Sequence, residues 1–279
     1  MKITKIINQI KKHKIRSIII LSLVLVLMIT AFDMRLKTSY ITIENDKITS
    51  PVRFAVITDL HSCYYGENQK TLIEAIEKAN PDAVLLVGDI LDDKKSDKNS
   101  EIFIEMISDK YTCYYVSGNH EARSGKLDDF KTFLKNLNVT VLTDEVDKIV
   151  INGQTIQLAG IDDPSTGGYA FDLRLFETAE KTDFEEFSVL LSHRPELVEE
   201  YNKYAFDLVL SGHAHGGQWR LPFVDISLIA PNQGLFPKYT SGLYDLQNGK
   251  IAVSRGLARE STLIPRIYNR PEILIITVE

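Results

Sequence analysis

Asp59 and His61, Asp89, Asn119 and His120, His193, and His213 with His215 are the residues of this 279-residue chain whose types and placement can do chemistry. Carboxylate, amide oxygen and neutral imidazole together make an N/O donor set suited to Zn, Mn or Fe(II). Taken singly, each has an ordinary explanation. Asp89 after a glycine reads as a turn residue, and His193 as a satisfied polar residue at a strand edge. As a set they do not, because of the chain's six histidines only His13 lies outside these short motifs. In Asp59-Leu60-His61 an extended backbone would point residues i and i+2 to the same side, so that both grip one ion. The same geometry is expected to aim His213 and His215 into one pocket.

Each of these residues falls just past the end of an apolar run, and those runs define the scaffold. FAVITDLH (Phe54–His61), AVLLVGD (Ala83–Asp89) and TCYYVSGNHE (Thr112–Glu121) read as strands ending in polar turns. AVLLV is apolar throughout, which predicts burial on both faces. Between them, QKTLIEAIEKANPD carries Leu72, Ile73, Ile76 and Ala79 at helical spacing with Pro81 as the stop, and Ser96–Lys110 reads as a second helix. A third helix, LDDFKTFLKNLN, follows Lys126. DKIVINGQTIQLAGIDD predicts a hairpin turning at Asn152-Gly153, and Asn248-Gly249 marks another. FSVLLSHRPEL and FDLVLSGHAHGGQW supply two further strands. Early strands alternate with helices and later ones pair as hairpins, so the expected class is α/β with mixed sheets and helices outside. Strand ends of such sheets converge on one crevice, where ligands bind.

The first residues are of a different kind. Lys2, Lys5, Lys11, Lys12, Lys14 and Arg16 crowd the front, and SIIILSLVLVLMITAF separates Arg16 from Asp33. We read residues 1–16 as a basic cytoplasmic arm and 17–32 as a transmembrane anchor. Residues 33–50 are expected to be a linker and first edge strand, and 51–279 one catalytic domain. The run is short for a span, which needs roughly 20 residues, but flanking Lys14 and Arg16 can snorkel. A cleaved signal peptide shares the basic lead and apolar core, although Thr30-Ala31-Phe32 is a poor cleavage pattern. A buried core helix fits less well, since the run has no polar face. The positive-inside rule then places the N-terminus in the cytoplasm and the rest of a single-pass membrane protein outside it. With 32 Lys+Arg against 38 Asp+Glu the net charge is −6, which argues against a nucleic-acid partner. Cys63 and Cys113 allow one disulfide at most, and two half-buried thiols is the plainer reading.

In order and spacing, TDLH, GDILD, GNHE, LSHRPE and SGHAHGGQ closely resemble the signature blocks of the metallophosphoesterase (calcineurin-like) superfamily, over roughly Arg53 to Leu257. That resemblance implies a sandwich of two mixed β-sheets with helices on both outer faces, and two divalent metal ions (Mn, Zn or Fe) as cofactors. It implies Asp59, His61, Asp89 and His215 as ligands of the first ion. Asp89 would bridge to the second, completed by Asn119, His193 and His213. His120 would be the catalytic histidine, contacting the substrate phosphate and protonating the leaving oxygen. Glu121 is a candidate for orienting the ligands, with a surface position as the competing reading. Arg194, Arg255 and Arg259 are candidates for binding substrate phosphate, against the alternative that they face solvent.

GHAHGGQWRLP, PKYTSGLY and VSRGLA are similar to bacterial membrane-associated members, among them relatives of the enzymes that hydrolyse UDP-2,3-diacylglucosamine and exported phosphoesterases. Protein Ser/Thr phosphatases carry D-R-G where this chain has Asp92 and Asp93, which disfavours that branch. The expected function is hydrolysis of a phosphoester or pyrophosphate bond, with a lipid-linked substrate as the first choice. A phosphodiesterase acting on a soluble small molecule or nucleotide is the alternative. A metal-keeping scaffold without activity would have lost His120 or a ligand, and this chain retains them all.

Overall fold

The computed structural model describes residues 2–222, 224, 226–259 and 264–279, with side chains described from residue 10 on. The strands, in chain order, are β1 (Lys37–Ile43), β2 (Val52–Ile57), β3 (Ala83–Val87), β4 (Thr112–Val116), β5 (Thr140–Val141), β6 (Glu145–Ile151), β7 (Gln154–Gly160), β8 (Phe187–Leu191), β9 (Leu208–Ser211), β10 (Ile229–Ala230), β11 (Gly234–Leu235), β12 (Gly242–Asp245), β13 (Lys250–Val253) and β14 (Glu272–Val278). They form two six-stranded sheets, ordered β1-β14-β2-β3-β4-β5 and β12-β13-β9-β8-β7-β6, with β10 and β11 as a separate short hairpin. Both sheets are mixed. β2 to β5 run parallel and β14 runs antiparallel to β2, while β7, β8, β9 and β13 are parallel, flanked by antiparallel β6 and β12.

Alternation along the strands builds the layers. Phe54, Val56, Leu85 and Val87 face Leu158, Val189, Leu208 and Leu210 across the middle of the sandwich. The intervening Ala55, Ile57, Val84 and Leu86 point the other way, against Leu72, Ile76, Phe103, Ile107 and Phe130. Those residues belong to the helices α2 (Lys70–Ala79), α3 (Lys98–Ser108) and α5 (Leu127–Asn136), with the short α4 (Asn119–Ser124) between the last two. On the opposite outer face Leu190, Val209 and Ile251 pack on α6 (Phe171–Glu180) and α7 (Val198–Tyr201) through Leu175, Ala179 and Tyr201. The two-sheet sandwich with helices outside is therefore as expected. α2 stops where Pro81 predicts it should, with Asn80 left-handed at its C-terminus. Asn152 and Gly153 both take positive φ (53° and 78°), the conformation a two-residue hairpin turn requires. Cys63 and Cys113 are buried, free thiols.

The front of the chain is one helix, α1 (Lys2–Ala31), so the basic arm continues the apolar run rather than standing apart from it. Ile10–Ala31 is long and apolar enough to cross a membrane, and its side chains are almost all exposed. Only residues 32–36 separate it from β1, an edge strand that pairs with β14 from Lys37↔Glu272 onward. The joint is tied down. Arg35 donates to Asp33 through Nε (2.9 Å) and Nη2 (2.8 Å), and Arg270 donates to the carbonyls of Arg35 and Leu36, both at 2.9 Å.

Leu85 lies in the dry layer between the sheets and Val150 is 68% exposed on β6. Urea unfolding should show Leu85→Ala losing about 2–5 kcal/mol, a cavity in an unyielding layer. Val150→Ala should stay within about 0.5 kcal/mol of the parent.

Candidate metal centre

Five parallel strands deliver the sequence-singled residues to one place. β2, β3 and β4 of the first sheet end in Thr58-Asp59-Leu60-His61, Gly88-Asp89 and Gly118-Asn119-His120. β8 and β9 of the second end in His193 and in Gly212-His213-Ala214-His215. Backbone bonds stitch the turns together: Asp59 N–H donates to Gly88 O and His61 N–H to Asp89 O, both at 3.0 Å, and Gly212 N–H donates to His193 O at 3.1 Å.

The i, i+2 expectation gives the right convergence for the wrong backbone reason. Asp59, His61, Asp89, His213 and His215 are not extended. All take left-handed φ between 46° and 61°. Such conformations cost a non-glycine residue on the order of 1–3 kcal/mol and persist only where surroundings over-determine them. Nor do His213 and His215 share one group. Asp59, His61 and His215 form one buried set whose ligand atoms lie within 4.8 Å of one another, and Asp89, His193 and His213 form a second. Close approach needs glycine at two positions. A Cβ on Gly118 would lie 2.3 Å from Asp89 Oδ1, and one on Gly212 would lie 2.0 Å from Thr58 Oγ1.

Buried atoms without hydrogen-bond partners gather here: both ring nitrogens of His61, Asp89 Oδ2, Asn119 Oδ1, His193 Nε2, and Nδ1 of His213 and His215. Each such orphan costs about 1–3 kcal/mol if left unmet. Some stand close without aligning on one another. His193 Nε2 is 3.1 Å from Asp89 Oδ2, and His61 Nε2 is 3.7 Å from the same oxygen. Groups aimed past each other at a shared point, of N and O type, fit divalent metal ions. The outer ring nitrogens are held from behind. His193 Nδ1 bonds Val87 O at 2.8 Å, while His213 Nε2 meets Asn232 Oδ1 at 3.1 Å and Arg194 Nη1 at 3.0 Å.

Burial works against ionisation of Asp59 and raises its pKa. At Asp89 burial acts the same way, but the neighbouring imidazoles of His193, His61 and His120 outweigh it and hold the carboxyl well below its usual range. His193 resists its own burial through Asp89 and Asp59, and is pushed up to about 10. Burial dominates at the other two: His213 falls to about 3, and His215 falls well below its ordinary value. A lowered pKa favours the neutral imidazole, the form that binds metal.

His120 is more open than the rest. Its ring meets that of His61 edge-on at 4.3 Å, and its Nδ1 lies 2.9 Å from Asp93 Oδ1. Asp92 Oδ2 stands 3.4 Å from His61 Nδ1. Of the two aspartates noted only as a departure from D-R-G, Asp93 thus backs His120 and Asp92 stands beside the unbonded Nδ1 of His61, and their position three and four residues past Asp89 was the available signal. Glu121 is fully buried. It accepts from the N–H groups of Asp89 (2.9 Å), Ile90 (2.5 Å), Leu91 (3.0 Å) and Gly118 (2.9 Å), so it shapes the Asp89 turn rather than a histidine. Burial and then the Asp89 charge push its carboxyl up to about 7 against those donors.

Of the three arginines, Arg194 borders the centre through His213, while Arg255 and Arg259 line other cavities. Arg194 is buried, bonded through Nε (2.5 Å) and Nη2 (3.0 Å) to Asp163, a partner the sequence did not suggest. Its donors are engaged within the protein and it braces His213 from outside. Arg255 lines a cavity beside Thr30 and Tyr268. Arg259 lies over the Tyr65 ring, 5.1 Å from its centroid, and lines a groove with Met34 to Leu36.

Because Glu121 satisfies four N–H groups, Glu121→Ala should lower unfolding free energy by at least about 3 kcal/mol, read from thermal melts at fixed metal concentration. Glu121→Gln keeps two acceptor positions on its oxygen and should cost clearly less.

Residues 52–217 match the calcineurin-like phosphoesterase family, Metallophos. The chain is 30% identical over 218 residues to the metallophosphoesterase YkuE of Bacillus subtilis, covering 76% of this chain and 73% of that protein. It is 32% identical over 276 residues to the metallophosphoesterase Cj0846 of Campylobacter jejuni, covering 94% of this chain and 69% of the relative. Among solved structures, TT1561 of Thermus thermophilus shares the fold at a TM-score of 0.53 and 12% identity, over 75% of this chain and 92% of that one. Family signature and buried donor set coincide on the same residues, and the chain belongs to the calcineurin-like phosphoesterase (metallophosphoesterase) family, a metal-dependent phosphoester hydrolase.

Proposed function

We propose that this chain hydrolyses a phosphoester or pyrophosphate bond with two divalent ions, and that it does so tethered to a membrane. The observation that carries the reading is the pair of buried acid–imidazole groups, each with orphaned atoms, beside the half-open His120. Asp59, His61 and His215 would hold one ion and Asn119, His193 and His213 the other, with Asp89 shared. When bound, such a pair supplies Lewis acidity to phosphoryl oxygens and lowers the pKa of water.

The chain's own residues do the rest. Asp93 fixes Nδ1 of His120, so the ring can hold a proton on Nε2 for the leaving oxygen in one orientation. The main-chain N–H of His120 donates to Asp89 Oδ1 at 2.7 Å, and that of His213 to Asp59 at 3.2 Å. These bonds keep the carboxylates turned inward before any substrate arrives. The α1 span supports a single-pass anchor with its basic N-terminal end cytoplasmic. That location favours a lipid-linked phosphoester over a soluble nucleotide.

Hydrolysis of bis-(p-nitrophenyl) phosphate and p-nitrophenyl phosphate by the detergent-solubilised full chain tests the chemistry. Activity should require added Mn²⁺ or Zn²⁺ and fall about 10²–10⁴-fold in His120→Ala. Asp93→Ala should lose about 10–100-fold, as removal of an orienting partner does. Asp89→Asn should be inactive. A folded protein that binds metal and turns over neither these esters nor lipid pyrophosphates would instead support a binding role.

A further inference from the structure

From the metal centre a path of hydrogen bonds between segments leads to the end of the apolar helix. Past His215, Arg220 N–H donates to Ile267 O (2.9 Å), Ile267 N–H to Gln218 O (3.1 Å), and Trp219 Nε1 to Pro265 O (2.9 Å). Tyr268 then donates its N–H to Ala31 O (2.8 Å) and its hydroxyl to Leu27 O (2.9 Å), in the last turns of α1. On the other side the ribbon folds back on itself. Leu221 N–H donates to Ile226 O (2.9 Å), Leu228 N–H to Trp219 O (2.8 Å), and Phe236 N–H to Leu228 O (2.9 Å). One hydrogen-bonded strip therefore joins Ala31 to residues 219–222 and 226–236.

That strip shows apolar side chains to the outside. Trp219, Leu221, Val224, Ile226, Leu235 and Phe236 are between 39% and 68% exposed. Exposed apolar side chains gathered on one hydrogen-bonded ribbon mark a contact surface. Its neighbour decides which one, because the 22-residue span Ile10–Ala31 ends at the very residue that Tyr268 grips. If α1 crosses a bilayer, the interface lies at the level of this ribbon, and interfacial aromatic and aliphatic side chains are stabilised there.

Between ribbon and helix lies a cavity of about 490 Å³ whose lining includes Thr30, Arg220, Leu221, Val224, Arg255 and Tyr268. Its lining mixes apolar Leu221 and Val224 with Arg255 and with Arg220, whose Nη1 donates to Gly216 O at 2.9 Å. Arg255 is a half-buried member of that lining, and its enclosed Nε is ion-paired with Glu272 Oε2 at 3.8 Å. Guanidinium groups bind phosphate oxygens with directed, charge-assisted bonds.

We propose that the ribbon carrying Trp219, Leu221, Ile226, Leu235 and Phe236 is seated in the bilayer interface and that the cavity at the end of α1 takes the phosphate of an anionic glycerophospholipid. This rests on reading α1 as a membrane span. The loop of the β10–β11 hairpin also carries Asn232, whose Oδ1 meets His213 Nε2 at 3.1 Å, so the seated ribbon backs a residue of the metal centre.

Trp219 is the chain's single tryptophan, and its fluorescence reports on the ribbon without a label. The full chain is placed in phosphatidylcholine nanodiscs with increasing fractions of acyl-brominated phosphatidylglycerol or acyl-brominated phosphatidylcholine. Both should quench Trp219, with half-quenching at an about fivefold lower fraction of the phosphatidylglycerol. In Arg255→Gln the two curves should coincide. A chain that stays in the discs with Trp219 unquenched would overturn the seating while leaving the anchor intact. Coincident curves in the unmodified protein would overturn the headgroup site, and a chain that never enters the discs would overturn the anchor and the proposal together. Inorganic phosphate is added to the same discs as a competitor. Loss of the phosphatidylglycerol preference at low phosphate would assign the cavity to a free anion instead of a lipid.

Discussion

Two carboxylates, Asp59 and Asp89, are held out of water at the junction of two sheets, and much of the molecule is arranged around that fact. A buried charge costs several kcal/mol unless it is paired and hydrogen-bonded. Here the compensation comes from imidazoles on facing strand ends, from the main-chain N–H groups of His120 and His213, and from Thr58 Oγ1 at 2.8 Å from Asp59 Oδ2. The turns must bend left-handed to bring these groups inward, and the tightest contacts leave room only for glycine. Glu121 is part of the same arrangement. A third buried carboxylate, it collects the N–H groups that the sharp Asp89 turn leaves over.

The scaffold supplies what those turns cannot. Parallel strands in both sheets end on the same side, so five turns bearing candidate ligands meet without any single segment carrying the site. The apolar layer between the sheets holds those ends in register, since close-packed interiors transmit displacement instead of absorbing it. The same sheet ties in the front of the chain. β1 pairs with β14 along its whole length, and Tyr268, just before β14, grips the last turns of α1. A helix that would otherwise hang from a linker is thereby fixed in orientation to the metal centre.

Much of the site was readable in advance because its components are local. A β-branched run followed by a polar turn is visible in adjacent residues, and the histidines and acids sit at the ends of such runs. The hairpin at Asn152-Gly153 and the stop of α2 at Pro81 were equally local, set by the φ angles these residues prefer. The backbone conformation at Asp59 and His61 was not. Extended geometry is the default past a strand, and only the surrounding contacts over-determine the left-handed form. Asp92 and Asp93 were noticed as an absence of arginine, yet their partners His61 and His120 lie about thirty residues away in sequence.

By itself the sequence determined the residue types, their order along the chain, the α/β alternation and the apolar helix at the front. These follow from periodicity and turn chemistry, which act over a few residues. Tertiary structure decided which imidazole faces which carboxylate, that Arg194 belongs to Asp163, and that Glu121 is buried. It also decided that the strip after His215 meets the end of α1. Contacts such as His213 to Asp59, 154 residues apart, come into being only when two sheets stack, and no local preference encodes them.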